Sequence, residues 1–200
     1  MIAGILLAAG RSLRMGQPKL LLPWDGAPLV RHVAQLALRS SLDELVVVIG
    51  YRAEHVSAAL AGLPLRIVHN QAFLDGQSTS LRVGIAALSS AAEAAVLLLA
   101  DQPLLQPATI DALIERYRAQ QAPVVVPRYA GQRGNPVLFA RELFAALQTI
   151  GGDQGARGVI QQQRDRVEWL DTADEGVLLD IDTPDMYQRL LDRNAGAKDG

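Results

Sequence analysis

The stretch IAGILLAAGRSLRMGQPK, Ile2 to Lys19, decides how the rest of the chain is read. Ile2 to Ala8 is apolar without interruption and stops at Ala9-Gly10, the pattern of a strand buried in a parallel sheet. A loop comes next, carrying Arg11, Arg14 and Lys19 around Gly10 and Gly16. Glycine lets the backbone come close to a phosphate, and main-chain N–H groups with Lys and Arg neutralise it. The competing reading is a surface turn with solvated basic residues; a position directly after a buried strand favours a polyanion. Two common phosphate loops are excluded by spacing. Five residues separate Gly10 from Gly16 and Lys19 comes three after Gly16, so the glycine, four residues, Gly-Lys-Ser/Thr pattern is absent. No G-x-G-x-x-G occurs in the stretch, and Gln17-Pro18 delays the next helix.

With half of its 200 residues hydrophobic, the chain can bury one sizeable core. The expected organisation is one domain over residues 1–193 and a frayed tail over 194–200. A formal charge of −2 gives no general attraction to nucleic acid or to an acidic membrane. Without cysteine there are no disulfides, zinc–thiolate sites or thiol nucleophiles, which suits the cytoplasm. The N-terminus lacks the basic flank and cleavage site of a signal peptide, and no apolar run reaches the roughly 18 residues of a membrane span. His32, His55 and His69 are scattered among apolar stretches and read as structural or surface residues.

Further along, Pro28 suits the first turn of a helix on which Leu29, Val33, Leu36 and Ala37 recur at helical spacing. Leu45 to Ile49 and Leu65 to Val68 read as strands with a short helix between them, Ala53 to Leu60. This alternation predicts an α/β domain of three layers with a mostly parallel sheet. In NQAFLDGQSTSLRVG, Asn70 to Gly84, Ser78 is placed to cap a helix behind Gly76, and Ser80 adds a hydroxyl. That segment either merely starts a helix or sets a helix N-terminus beside a nucleotide. Val96 to Asp101 is a strand ending in one carboxylate, where an open sheet binds ligands and an Asp can hold Mg2+ against phosphate. A turn Asp before Gln102-Pro103 is the alternative.

In the second half, Pro107 to Gln120 reads as a helix, Val124 to Val126 as a strand, and Arg141 to Leu147 as a helix. Gly131 to Phe139 reads as a plain hairpin or as a substrate-facing lip with Arg133, Gly134 and Asn135. Asp153 and Arg157 either flank a helix or touch substrate. Val167 to Leu170 and Val177 to Ile181 read as the last strands; Asp180 and Asp182, two apart, would share one face and complete a metal site or stay solvated.

The stretches LAAGRSLRMGQPK, GQSTSLRVGI (Gly76 to Ile85), LLLADQP (Leu97 to Pro103), GNPVLF (Gly134 to Phe139), GDQGAR (Gly152 to Arg157) and DIDTPD (Asp180 to Asp185) run in order along most of the chain. Together they resemble the MobA-like nucleotidyltransferases, in particular the molybdenum cofactor cytidylyltransferase branch. The resemblance implies a nucleotide-diphospho-sugar transferase-like fold. It also implies transfer of CMP from CTP to the phosphate of molybdopterin, with Mg2+ as cofactor and pyrophosphate released. By the same motifs, Leu7, Ala8, Ala9 and Gly10 with Gly76, Ser78 and Ser80 would border the nucleotide, and Arg14 and Lys19 would hold the triphosphate. Asp101 with Asp182 and Asp180 would bind the metal, and Gly134, Asn135, Asp153 and Arg157 the acceptor. A molybdoenzyme apoprotein or its chaperone would receive the product. The guanylyl branch typically has Ala-Gly-Gly where this chain has Ala8-Ala9-Gly10, so the Ala9 methyl would narrow the pocket against a purine. Relatives often carry His in place of Asn135 and Met in place of Gln77. The alternatives are GTP, a sugar phosphate or another small phosphate acceptor, a non-catalytic cofactor-delivery module, and an oxidoreductase on a related fold.

Overall fold

The apolar runs pair into one eight-stranded sheet in a computed structural model that describes residues 1–152 and 155–196. Its parallel heart is β1 (Ile2–Ala8), β4 (Glu44–Ile49), β5 (Arg66–His69) and β6 (Ala94–Leu99), ordered β6-β1-β4-β5. Beyond β6 come β9 (Val137–Ala140), β7 (Val124–Tyr129) and β10 (Val167–Asp171), with β8 (Gln132–Arg133) on the edge of β7. β9 runs antiparallel to both β6 and β7, and β10 is parallel to β7. A small separate hairpin, β2 (Pro23–Trp24) and β3 (Ala27–Pro28), lies just after the cationic loop.

Strand periodicity assigns the two faces. Ile2 and Leu6 of β1 and Ala94, Val96 and Leu98 of β6 pack under α1 (Leu29–Leu38), α4 (Pro107–Gln120) and α7 (Pro184–Gly196), with α2 (Ala53–Ala59) beside them. Ile5 of β1 and Ala95 and Leu97 of β6 pack under α3 (Gln77–Ala86), α5 (Phe144–Thr149) and α6 (Arg157–Gln162). The fold is therefore a single three-layered α/β domain with a mostly parallel sheet, as the alternation predicted. Gly84 brings α3 down onto the sheet: a Cβ there would stand 2.5 Å from Ile5 Cγ2. No helix among the described residues is long and apolar enough to cross a membrane.

Several local expectations are corrected. Val177 to Ile181 is not a strand. Glu175–Leu178 is a 3-10 turn, opened by Asp174 Oδ1 accepting from Gly176 N at 2.9 Å, and continues as extended chain. Val177 and Ile181 are buried all the same, because their backbone groups bond to loops instead of a neighbouring strand: Val177 O accepts from Asn135 N and Gln102 Nε2, and Ile181 N donates to Asp101 O. Arg141–Leu143 is likewise a 3-10 turn ahead of α5. Ser78 does not cap α3; Gly76 holds the N-cap position with φ 103, and Ser78 lies in the first turn. Pro28 precedes α1 instead of opening its first turn. α7 runs on to Gly196, into the stretch expected to fray, while 197–200 and Asp153 lie outside the described residues.

Candidate active site

β1 and β6 are adjacent and parallel with Leu7 opposite Leu99, so the loops that leave the two strands emerge at the same sheet edge. Ala100 N donates to Leu7 O at 3.2 Å, setting Asp101 beside the cationic loop. That loop leaves β1 through Gly10, turns at Ser12 (φ 56) into the 3-10 turn Leu13–Met15, and reverses at Gly16 (φ 65). Buried Met15 and Leu20 anchor it, and Ser12 Oγ accepts from Lys19 N at 3.3 Å. A Cβ on Gly10 would meet nothing within 4 Å, so the space it leaves opens into the cleft.

Lys19 lies at the centre. Its Nζ donates to Asp101 Oδ2 at 2.6 Å, Ile181 O at 2.7 Å and Asp182 Oδ1 at 3.1 Å. Arg14 takes the other Asp182 oxygen at 2.7 Å. The Lys19 and Asp101 side chains are only 12% and 18% exposed, so water screens their attraction weakly. Burial by itself would lower the Lys19 pKa, but Asp101 and then Asp182 outweigh it and hold the ammonium above its ordinary value. Burial, then the charges of Asp101 and Asp182, push the Asp180 carboxyl upward. For Asp182 burial acts in that same direction, yet Lys19 and then Arg14 hold it below the usual carboxylate range.

One oxygen from each of Asp101, Asp180 and Asp182 lies within 4.8 Å of the other two, and Asp101 Oδ1 is buried with no hydrogen-bond partner among the described residues. Three clustered carboxylates, one with an orphaned oxygen, fit a hard divalent cation with oxygen ligands. Asp180 and Asp182 reach the site without a shared strand face: the Ile181 N–H bond to Asp101 O, 2.9 Å long, carries them there.

These residues line a cleft of about 620 Å3. Leu7, Ala9, Gly10, Gly76, Ser80 and Arg157 line it too, whereas Ala8 and Ser78 are buried and do not. The hydroxyls of α3 serve the fold first. Buried Asn70 donates through Nδ2 to Thr79 Oγ1 at 2.8 Å and Ser80 Oγ at 2.9 Å, and Ser78 Oγ is buried without a described partner. A second cavity of about 300 Å3 adjoins the first across Leu7, Gln77, Leu99 and Arg157, and brings in Gly134 and Asn135. Gly134 is needed for packing, since a Cβ there would stand 2.6 Å from Val177 Cβ.

Sequence reasoning missed Leu13, Phe73, Leu74 and Gln77 as lining residues, whereas Arg11 of the cationic loop and Arg133 of the hairpin or lip line the first and second cavities. Leu13 and Leu74, 74% and 64% exposed, form apolar lips on the first cleft. A large apolar residue in the middle of a polar loop was the available signal for both.

A family model described as the MobA-like NTP transferase domain matches residues 4–167. The chain is 35% identical over 198 residues to nicotine blue oxidoreductase of Paenarthrobacter nicotinovorans, covering 95% of this chain and 96% of that one. It is 29% identical over 185 residues to the molybdenum cofactor cytidylyltransferase of Escherichia coli K12, with 92% of each covered. Among solved structures, Rv0371c of Mycobacterium tuberculosis H37Rv superposes with a TM-score of 0.86 at 37% identity, covering 96% of this chain and 97% of that one. A second structure of Rv0371c, in complex with manganese, superposes with a TM-score of 0.83 at 35% identity over 96% and 98%.

Proposed function

The chain belongs to the MobA-like NTP transferase family, and from that premise we propose that it transfers CMP from CTP to the phosphate of a molybdopterin-type cofactor, releasing pyrophosphate. The observation that carries the reading is the convergence of Lys19, Arg14, Asp101 and Asp182 at one sheet edge. It is supported by the 29% identical relative named for this activity and by Ala9 lining the cleft. The reaction takes place in the cytoplasm, and an apoenzyme or its chaperone receives the product.

The chemistry asks little of acid–base groups, because an acceptor phosphate with a second pKa of about 6 is already largely ionised at neutral pH. One of its oxygens bonds to the α-phosphorus while the bond to the β-phosphate bridge breaks. The barrier lies in bringing two anions together and in stabilising the leaving pyrophosphate. Lys19 and Arg14 neutralise the triphosphate, and the backbone at Gly10 lets it come close. Asp101, Asp180 and Asp182 would hold Mg2+, which, when bound, offsets charge on phosphate oxygens. The manganese complex of Rv0371c makes Mn2+ the natural substitute.

The test is a screen of the four nucleoside triphosphates for pyrophosphate release, with the pterin acceptor and with sugar phosphates. CTP with the pterin should stand out, and Asp101→Ala should lower the rate about 100- to 1000-fold, the usual range for losing transition-state charge stabilisation. The Ala9 methyl belongs to a tight wall, since a Cβ on Gly50 would lie 2.9 Å from it and 2.7 Å from Phe73 Cβ. Ala9→Gly should therefore raise GTP use relative to CTP; an unchanged ratio removes the steric account of base choice. A second reading, oxidoreduction, is favoured by the name of the 35% identical Paenarthrobacter relative. A nicotinamide-linked absorbance change without pyrophosphate would select it.

A further inference from the structure

Asn70, directly after β5, is 1% exposed, and its backbone N donates to Ile49 O at 2.8 Å, which fixes it at the end of β4. Its side-chain amide is used on both edges. Oδ1 accepts from Ala72 N at 3.0 Å, and Nδ2 donates to Thr79 Oγ1 and Ser80 Oγ at 2.8 and 2.9 Å. A backbone N–H can only donate, so Ala72 decides which edge carries the oxygen and leaves both Nδ2 protons for the hydroxyls of α3. Thr79 has carbonyls for its own proton, Gly76 O at 2.8 Å and Ala72 O at 3.0 Å. Ser80 differs. Its oxygen receives the Asn70 proton, no described group accepts its own, and it lines the nucleotide cleft together with Ala9 and Gly76. Ser80 is 5% exposed, so with a lone pair turned to the cleft its proton would be stranded where water hardly reaches. The stable orientation aims the O–H at whatever fills the cleft. A free serine hydroxyl donates and accepts equally well, and so cannot tell an acceptor from a donor. One held in this way is a donor.

We propose that Asn70 is a positioning residue that fixes Ser80 as a hydrogen-bond donor to the nucleobase and thereby selects cytosine over uracil. The two bases share their 2-carbonyl, but ring position 3 is a bare nitrogen acceptor in cytosine and an N–H donor in uracil. A locked donor accepts the first and repels the second. This inference rests on the reading that CTP fills the cleft, but its test separates the two. The probes are non-hydrolysable triphosphate analogues of cytidine, uridine and 3-deazacytidine, the last with carbon at ring position 3. They are titrated by calorimetry into the full chain with Mn2+. Wild type should bind the cytidine analogue about 10-fold more tightly than either of the others, the usual worth of one hydrogen bond. Ser80→Ala should bring the cytidine analogue down to the level of the other two. Asn70→Leu leaves the Ser80 hydroxyl free to turn, so the cytidine-to-uridine preference should fall from about 10-fold toward none. The double variant should show the preference of Ser80→Ala alone, as when one residue acts through the other. A merely structural Asn70 would weaken all three analogues alike and keep the preference, which overturns the proposal. Equal wild-type binding of the cytidine and 3-deazacytidine analogues overturns it too, and that comparison needs no variant to fold. Pyrophosphate release is measured separately. If it is absent while the preference depends on Asn70, the transfer reaction falls and the lock stands; if release is intact and Asn70→Leu leaves the preference unmoved, the lock alone falls.

Discussion

Lys19 commits all three of its N–H donors inside the protein, to two carboxylates and a carbonyl. It therefore occupies, with one positive charge, the position between Asp101 and Asp182 that a divalent cation would take. To reach a phosphate it must give up at least one of those bonds, so ammonium and metal compete for the same oxygens. Lys19→Met should then bind Mn2+ more tightly than wild type when no nucleotide is present, although pyrophosphate release falls about 100- to 1000-fold. Calorimetric titration of Mn2+ checks this; weaker or equal affinity in the variant would show that the lysine does not stand in for the ion. Asp180 supplies a pH test. Its carboxyl is pushed above 3.8 by burial and by Asp101 and Asp182, so its contribution to stability is full below 3.8 and is lost as pH rises through the raised value. At neutral pH the metal-free chain thus carries an unfavourable carboxylate. Asp180→Asn should raise the melting temperature in chelator at pH 7, lose that advantage as pH falls toward 4, and weaken Mn2+ binding. Melts at several pH values decide it. At this scale Asp101 was legible because it lies just beyond a buried strand end, and Lys19 and Arg14 because a glycine-bounded cationic loop follows one directly. Asp182 was legible by spacing, but for the wrong reason, and Arg133 only as one of two readings, since a cation on a short hairpin looks the same whether it is solvated or faces a cavity.

The alternation of short apolar runs and helical stretches was enough to predict the layers, because burial on both sheet faces leaves strands with no polar interruption. What periodicity could not supply was the path of 174–182. An apolar run such as Val177 to Ile181 is buried equally well as a strand or as coil pinned by Asn135, Gln102 and Asp101, and only tertiary contacts choose between them. The hydroxyls of α3 were open to two readings for a related reason: Asn70 engages Thr79 and Ser80, which ties the start of the helix to the end of β5, while Ser80 also lines the cleft and Ser78 does not. How α3 is held against the sheet can be tested at Gly84. Helix propensity alone says that Gly84→Ala stabilises, by about 0.5–1 kcal/mol. The new methyl, however, would stand 2.5 Å from Ile5 Cγ2 and 3.2 Å from Val48 Cγ2, on side chains that are fully buried. Overpacking of that kind costs about 1–3 kcal/mol and outweighs the propensity gain. Denaturant unfolding should therefore show a net loss; a more stable variant would mean that α3 can lift off β1 without penalty.

Over the whole molecule, the site is assembled from segments remote in the chain: the loop after β1, the end of β6, and the stretch before α7. The last of these has no strand to fix it, so its position depends on how the 3-10 turn at Glu175–Leu178 seats against the loop after β6. Gly176 governs that seating, since a Cβ there would stand 2.3 Å from Leu104 O, a backbone atom that cannot rotate away. Asp174 reinforces it by accepting from Gly176 N at 2.9 Å, and from Gln106 N and Thr109 Oγ1 at 2.9 and 2.7 Å. Gly176→Val touches no residue that would meet nucleotide or metal, yet it must push 174–182 outward and take Asp180 and Asp182 with it. The expected result is a stability loss of about 1–3 kcal/mol from the displaced backbone, together with weaker Mn2+ binding and slower pyrophosphate release. Asp101 and Lys19, held by β6 and the first loop, should keep their pairing, so nucleotide binding without metal should suffer less than metal binding. Thermal melts alongside Mn2+ and nucleotide titrations separate these effects. A variant that loses stability but binds Mn2+ as wild type does would show that the aspartates reach the metal by a route other than the seating of this turn.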